Sequence, residues 1–113
     1  YILEKVYFDL NKSTIKRDSY GVLDAVVTIM AKYPNVKQVE VQGHTDKQGS
    51  DSSNKKLSQR RADAVMTYLA KKGIEKERLT AVGYGEEQLV DTADTDEAHA
   101  KNRRVQFIVK VIE

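Results

Sequence analysis

The segment from Val39 to Leu69 reads VEVQGHTDKQGSDSSNKKLSQRRADAVMTYL, and its three parts decide the fold. Val39 and Val41 alternate with Gln38, Glu40 and Gln42, the period of a strand with one buried face. Gly43 ends that strand, and His44-Thr45-Asp46 emerges at its C-terminal edge. A turn-rich loop from Lys47 to Ser53 follows. Beyond it Leu57, Arg61, Val65, Tyr68 and Leu69 recur at helical spacing and share one face. The spacing predicts a helix that starts within Asp51 to Asn54, where several side chains can cap free backbone amides. A helix placed between two strands implies a parallel, right-handed crossover.

One residue on that apolar stripe is out of character. Arg61 lies between Leu57 and Val65 on the face that packs against the sheet, whereas Arg60 sits about 100° round the helix and can be solvated. A desolvated guanidinium needs a partner and further hydrogen bonds. Asp46, in the loop leading to the helix, can meet Arg61 at the mouth of this strand–loop–helix unit, the edge where open α/β sheets commonly bind ligands. On the residues alone two readings stand: an internal ion pair that serves only the fold, and a site completed by an external anion.

Outward from this unit the elements alternate. Tyr1 to Phe8 carries β-formers, and Tyr20, Leu23, Val26, Val27 and Met30 form a second amphipathic helix. Tyr33-Pro34 closes it, because proline disfavours helix in the residue before it. Lys71-Lys72-Gly73-Ile74 ends the Arg61 helix with cations, a glycine for the left-handed position and an apolar residue that folds back. Leu79 to Gly83 and Val105 to Val111 read as strands, and apolar residues on both sides of the last one suit a central position. Between them Gly85 to Lys101 is a polar loop with a short helix near Thr95 to Lys101. The fold class is α+β, a mixed sheet with two main helices on one face.

Composition excludes several classes. The 113 residues suit one domain, and no apolar run is long enough to cross a bilayer. The chain opens in strand sequence without a methionine, so residues 1–113 are read as one domain excised from a longer precursor. A net charge of +2 with both signs interspersed, and basic pairs without interleaved aromatics, argue against nucleic acid. There is no cysteine, hence no disulfide or thiolate site. His44, Asp46 and His99 match no metal-ligand spacing, and His44 reads as a structural hydrogen-bonding residue at a strand end. Ser58 lies in the first turns of a helix with no glycine elbow, so a nucleophilic triad is not expected. Gly83-Tyr84-Gly85 lacks the third glycine of a nucleotide loop.

Several motifs fall in order along nearly the whole chain. They are Phe8-Asp9 with Asn11-Lys12-Ser13, Gly43-His44-Thr45-Asp46, Gly49-Ser50, Asn54, Leu57-Ser58, Arg61-Ala62, Val65, Tyr68-Leu69, Gly83-Tyr84-Gly85-Glu86 and Asn102 to Val105. Together they resemble the OmpA-like family of peptidoglycan-binding domains, which takes in outer membrane protein A, the peptidoglycan-associated lipoprotein and MotB. The chain departs from the family pattern at Gln88-Leu89-Val90, where many members carry a proline.

The resemblance implies a four-stranded sheet in the order 1-4-2-3 with the fourth strand antiparallel to its neighbours. It implies non-covalent binding of the peptidoglycan stem peptide through diaminopimelate, whose side chain ends in a zwitterion. Asp46 would take the ammonium and Arg61 the carboxylate, the guanidinium being held by the internal acid and completed by the external anion. Thr45, Asn54, Asp9 and Arg104 complete the implied ligand set, with Arg104 as a site support, Arg103 or neither residue being the alternatives. No metal and no cofactor are implied. The parent protein would be anchored in the outer membrane of a Gram-negative bacterium, with this domain in the periplasm, outside the membrane and open to homodimerisation. A cell-wall amidase or hydrolase acting on the same peptide is the alternative, although no nucleophile, metal triad or positioned acid–base pair is evident.

Overall fold

The computed structural model describes residues 2–112, so Tyr1 of the expected first strand lies outside the described residues. The chain runs β1 (Ile2–Tyr7), α1 (Tyr20–Lys32), β2 (Val36–Gly43), α2 (Asp51–Lys71), β3 (Leu79–Gly83), α3 (Asp96–Asn102) and β4 (Arg104–Ile112). The sheet order is β1-β4-β2-β3. β2 and β3 are parallel, as their helical crossover requires, and β4 is antiparallel to both β1 and β2. The expected class, strand order and strand directions are all found.

Alternation sets the two faces of the sheet. Val39 and Val41 of β2, Val105 and Phe107 of β4 and Val6 of β1 are buried together with Leu23, Val26 and Met30 of α1 and Val65 and Leu69 of α2. Both long helices therefore cover one face. On α2 the buried stripe is Leu57, Arg61, Val65 and Leu69, while Arg60 is exposed. Tyr68 is only half-buried, and it turns toward α1 to donate a 2.6 Å hydrogen bond to Asp24.

Helix ends follow local chemistry. α2 begins at Asp51, but its cap is Ser50, whose hydroxyl accepts from the Ser53 amide at 3.2 Å. This is one residue ahead of the expected Asp51–Asn54 window. At the other end Gly73 takes φ 103°, the Ile74 amide donates to the Leu69 carbonyl and the Gly73 amide to that of Ala70. Ile74 is buried, which completes the expected glycine stop. One side chain of α2 also caps the last part of the outer edge of β3: the Gln59 amide donates to the Ala81 carbonyl at 3.1 Å and accepts from the Gly83 amide at 2.9 Å.

Candidate functional site

β2 and β3 end side by side at paired glycines, Gly43 and Gly83. A Cβ on Gly43 would lie 1.9 Å from the Ser58 carbonyl oxygen, and one on Gly83 would lie 2.5 Å from the Gln59 amide nitrogen. Helix α2 therefore crosses the strand ends in direct backbone contact, which only glycine permits. That close approach brings Arg61, one turn further along α2, against the loops that leave β1 and β2.

Arg61 is 0% exposed. Its Nε donates to the Lys12 carbonyl at 2.8 Å, Nη1 to that of His44 at 3.0 Å and Nη2 to that of Asp9 at 2.9 Å. The Phe8 ring lies 5.1 Å from its Cζ. Three backbone oxygens thus engage three of the five N–H donors of the guanidinium and leave two. The Asp9–Lys12 turn supplies two of the three oxygens. It is closed by a 3.1 Å hydrogen bond from the Lys12 amide to Asp9, with Asn11 in the left-handed region at φ 58°. Burial pushes the Arg61 pKa down to about 10, with Asp46 pulling in the opposite direction, so the side chain stays charged at neutral pH.

Asp46 is also buried, but its ion pair is with another residue. Its Oδ2 lies 3.1 Å from Nη1 of Arg103. Its Oδ1 accepts from the Gln48 backbone amide at 2.9 Å, and Oδ2 from the Gln48 side-chain amide at 3.1 Å. Arg103 uses Nε on the Phe8 carbonyl at 3.0 Å, which leaves its Nη2 without a partner among the described residues. The expected contact of Asp46 with Arg61 is therefore corrected. The carbonyl cage holds the guanidinium, and the carboxylate acts on it only through space.

A narrow surface cleft joins these groups, lined by Leu10, Asn11, Thr45, Asp46, Gln48, Asn54, Leu57, Arg61 and Arg103. Thr45 is 2% exposed and its hydroxyl has no hydrogen-bond partner among the described residues. Asn54 donates to the carbonyls of Asp46 and Gln48 and to Glu86, and so fixes the loop that carries Asp46. Asp9 contributes its carbonyl, not its carboxylate, which lies exposed 3.6 Å from Lys16. Four of the six expected residues, Asp46, Arg61, Thr45 and Asn54, line the crevice, and Asp9 supports it from behind.

Arg104 does not. It lies on the far face of the sheet, 2% exposed, with Nε on Gln106, Nη1 on the Asn102 carbonyl and Nη2 on the Gln88 carbonyl. Asn102 takes the amides of Val90 and Asp91 and donates to the Asp91 carbonyl. Arg104 and Asn102 thus pin the Gln88–Asp91 stretch. His44 belongs to the same far-face layer. It is fully buried, stacks on Tyr84 at 5.5 Å, and places Nε2 3.2 Å from Gln42, as expected of a structural histidine. Burial, then Arg104 and Lys5, push its pKa down to about 3.

A sequence profile of the OmpA family matches residues 7–103. The chain belongs to the OmpA family. Outer membrane porin F of Pseudomonas fluorescens is 49% identical over 105 residues, covering 93% of this chain and 32% of the porin. The peptidoglycan-associated lipoprotein of Pasteurella multocida (strain Pm70) is 39% identical over 99 residues, covering 88% of this chain and 65% of the lipoprotein. The crystal structure of the peptidoglycan-associated lipoprotein from Burkholderia pseudomallei superimposes with a TM-score of 0.90 at 27% identity, over 96% of this chain and 91% of that one. The chain spans about a third of the length of the porin it matches. No helix among the described residues is long and apolar enough to cross a membrane.

In this OmpA-family domain the residue that sequence reasoning misplaced was detectable by alternation. Val105 and Phe107 face the helices, so Arg103 shares their side and meets Asp46, whereas Arg104 shares the side of Gln106. Gln48 carried no comparable signal, because its position within the loop fixes no facing direction.

Proposed function

We propose that this domain binds peptidoglycan non-covalently and so anchors its parent protein to the cell wall, gripping the diaminopimelate residue of the stem peptide. The observation that carries the reading is a buried, charged Arg61 that touches no carboxylate among the described residues. It keeps two N–H donors and borders the same crevice as Asp46. A zwitterionic side-chain terminus complements that pair, with its ammonium to Asp46 and its carboxylate to Arg61 in the bidentate geometry suited to guanidinium. Arg103, whose Nη2 has no partner among the described residues, offers a second handle for a carboxylate beside Asp46, in place of Arg104. Thr45 supplies an uncommitted hydroxyl, and Asn54 holds the loop in position. The names of the relatives, a porin of the outer membrane and a peptidoglycan-associated lipoprotein, are consistent with a periplasmic module on an outer-membrane parent of a Gram-negative bacterium.

Calorimetry with two stem peptides tests this, one containing diaminopimelate and one with lysine in its place. The lysine peptide lacks the terminal carboxylate, so loss of a charge-assisted contact should weaken it by roughly ten- to a hundredfold. Equal affinities would overturn the site. Isolated sacculi should carry the domain into the pellet and release no soluble fragments, and steady domain-dependent release would favour an amidase or hydrolase instead.

A further inference from the structure

One exposed side chain already donates to Asp46 at the proposed site. Gln48 is solvent-exposed, yet its Nε2 reaches back to Oδ2 of the 2%-exposed Asp46 at 3.1 Å. Its backbone is held independently at both ends. The Gln48 amide donates to Asp46 Oδ1 at 2.9 Å, and its carbonyl accepts from Asn54 Nδ2 at 3.0 Å. The contact through Nε2 is therefore a matter of side-chain rotamer, and it can break without moving the loop. Arg103, the other donor to Oδ2, is tethered through Nε to Phe8 and is mostly buried. Of the donors on this carboxylate, the Gln48 amide is the one that solvent-side rotation can remove.

An amide N–H and an alkylammonium N–H seek the same acceptor lone pair, but the ammonium brings a full charge. Resting on the proposed anchoring site, we infer that Gln48 is a built-in competitor. Its side-chain amide occupies the ammonium position on Asp46 in the free protein and swings out when the ligand enters. The exchange keeps Asp46 paired at all times, which avoids leaving a buried carboxylate with an unmet acceptor. It also sets a threshold, because a ligand without a cationic donor only trades one neutral hydrogen bond for another. Gln48 thereby selects for ammonium-bearing stem peptides and lowers the affinity for all of them.

The test uses free meso-diaminopimelic acid as the probe, with calorimetry on the wild type, Gln48→Ala and Gln48→Met. Methionine keeps the length and loses the donor, so it separates hydrogen-bond competition from simple obstruction. Both variants should bind about three- to tenfold more tightly than the wild type, the scale of one neutral-donor hydrogen bond to a charged acceptor offset by solvation. In wild-type 1H–15N spectra the Gln48 side-chain amide pair should move to solvent-like shifts as the probe is added, while the Gln48 backbone amide stays put. Tighter binding by Gln48→Ala alone would mean obstruction and would overturn competition. Unchanged or weaker binding by both variants would overturn the inference and leave the anchoring site standing. Absence of binding by all three proteins would overturn the anchoring site, and the inference with it.

Discussion

Arg61 and Arg104 are both all but sealed from water, 0% and 2% exposed, and neither touches a carboxylate among the described residues. Each is held by three oxygens: Arg61 by the carbonyls of Asp9, Lys12 and His44, Arg104 by those of Asn102 and Gln88 and by the Gln106 side chain. Burial pushes both pKa values down. Only the surroundings differ. Arg61 borders a crevice with Asp46 and Arg103 on its walls, whereas Arg104 is closed under the loop that it pins. A buried guanidinium is therefore not by itself a binding site. The same cage of carbonyls fastens a loop on one face of the sheet and presents a charge on the other.

The strongest way to break the contrast is at the seam beneath Arg61. Gly43→Ala puts a Cβ 1.9 Å from the Ser58 backbone, an obstacle no rotamer can relieve. The variant should lose at least about 4 kcal/mol of stability or fail to fold, as read from a urea transition. Next come Arg61→Met and Arg104→Met, a matched pair. Each strands three buried or half-buried oxygens and should destabilise by about 2–4 kcal/mol. Among variants still folded, sacculus pull-down should fail for Arg61→Met and survive for Arg104→Met. Loss of binding by both would erase the distinction between the two cages.

His44 bridges the two regions, its carbonyl on Arg61 and its ring in the layer of Arg104. Its folded pKa of about 3 lies below that of the unfolded chain, so the unfolded state binds the proton first as pH falls. The stability it supports is complete above about pH 6.5 and is lost progressively toward pH 3. Between pH 6.5 and 5 the wild type should lose about 1.5 kcal/mol, and His44→Gln should flatten that slope in urea midpoints taken at each pH. Smallest of all is Arg60→Ala, one position from Arg61 and exposed. It should change stability by no more than about 0.5 kcal/mol and leave sacculus binding nearly intact. A long-range attraction to an anionic wall would instead weaken Arg60→Ala and Arg61→Ala alike and fade with salt.

These contrasts also mark how far the sequence could be read. Alternation in Val39–Gln42, the stripe from Leu57 to Leu69 and the Gly73-Ile74 stop gave the elements, because period and cap chemistry act locally. The strand order came from the family motifs, since no local pattern says that β4 inserts between β1 and β2. Arg61 was conspicuous as a charge on an apolar stripe, but its partners were not. Backbone carbonyls have no letter in a sequence, so the turn at Asp9–Lys12 and the strand end at His44 became visible only in three dimensions. The choice between Arg103 and Arg104 was legible through the parity of Val105 and Phe107.

Gln59 bears on a different property, the company this chain can keep. A sheet edge with free amides and carbonyls is a template on which another extended chain can grow. By engaging the Ala81 carbonyl and the Gly83 amide, the Gln59 side chain presents to β3 the hydrogen bonds that an incoming strand would offer. The seat is taken by a group that cannot propagate, since a side-chain amide carries no further residues to pair. An extended chain approaching the Ala81–Gly83 end of β3 therefore meets a group that already holds its place.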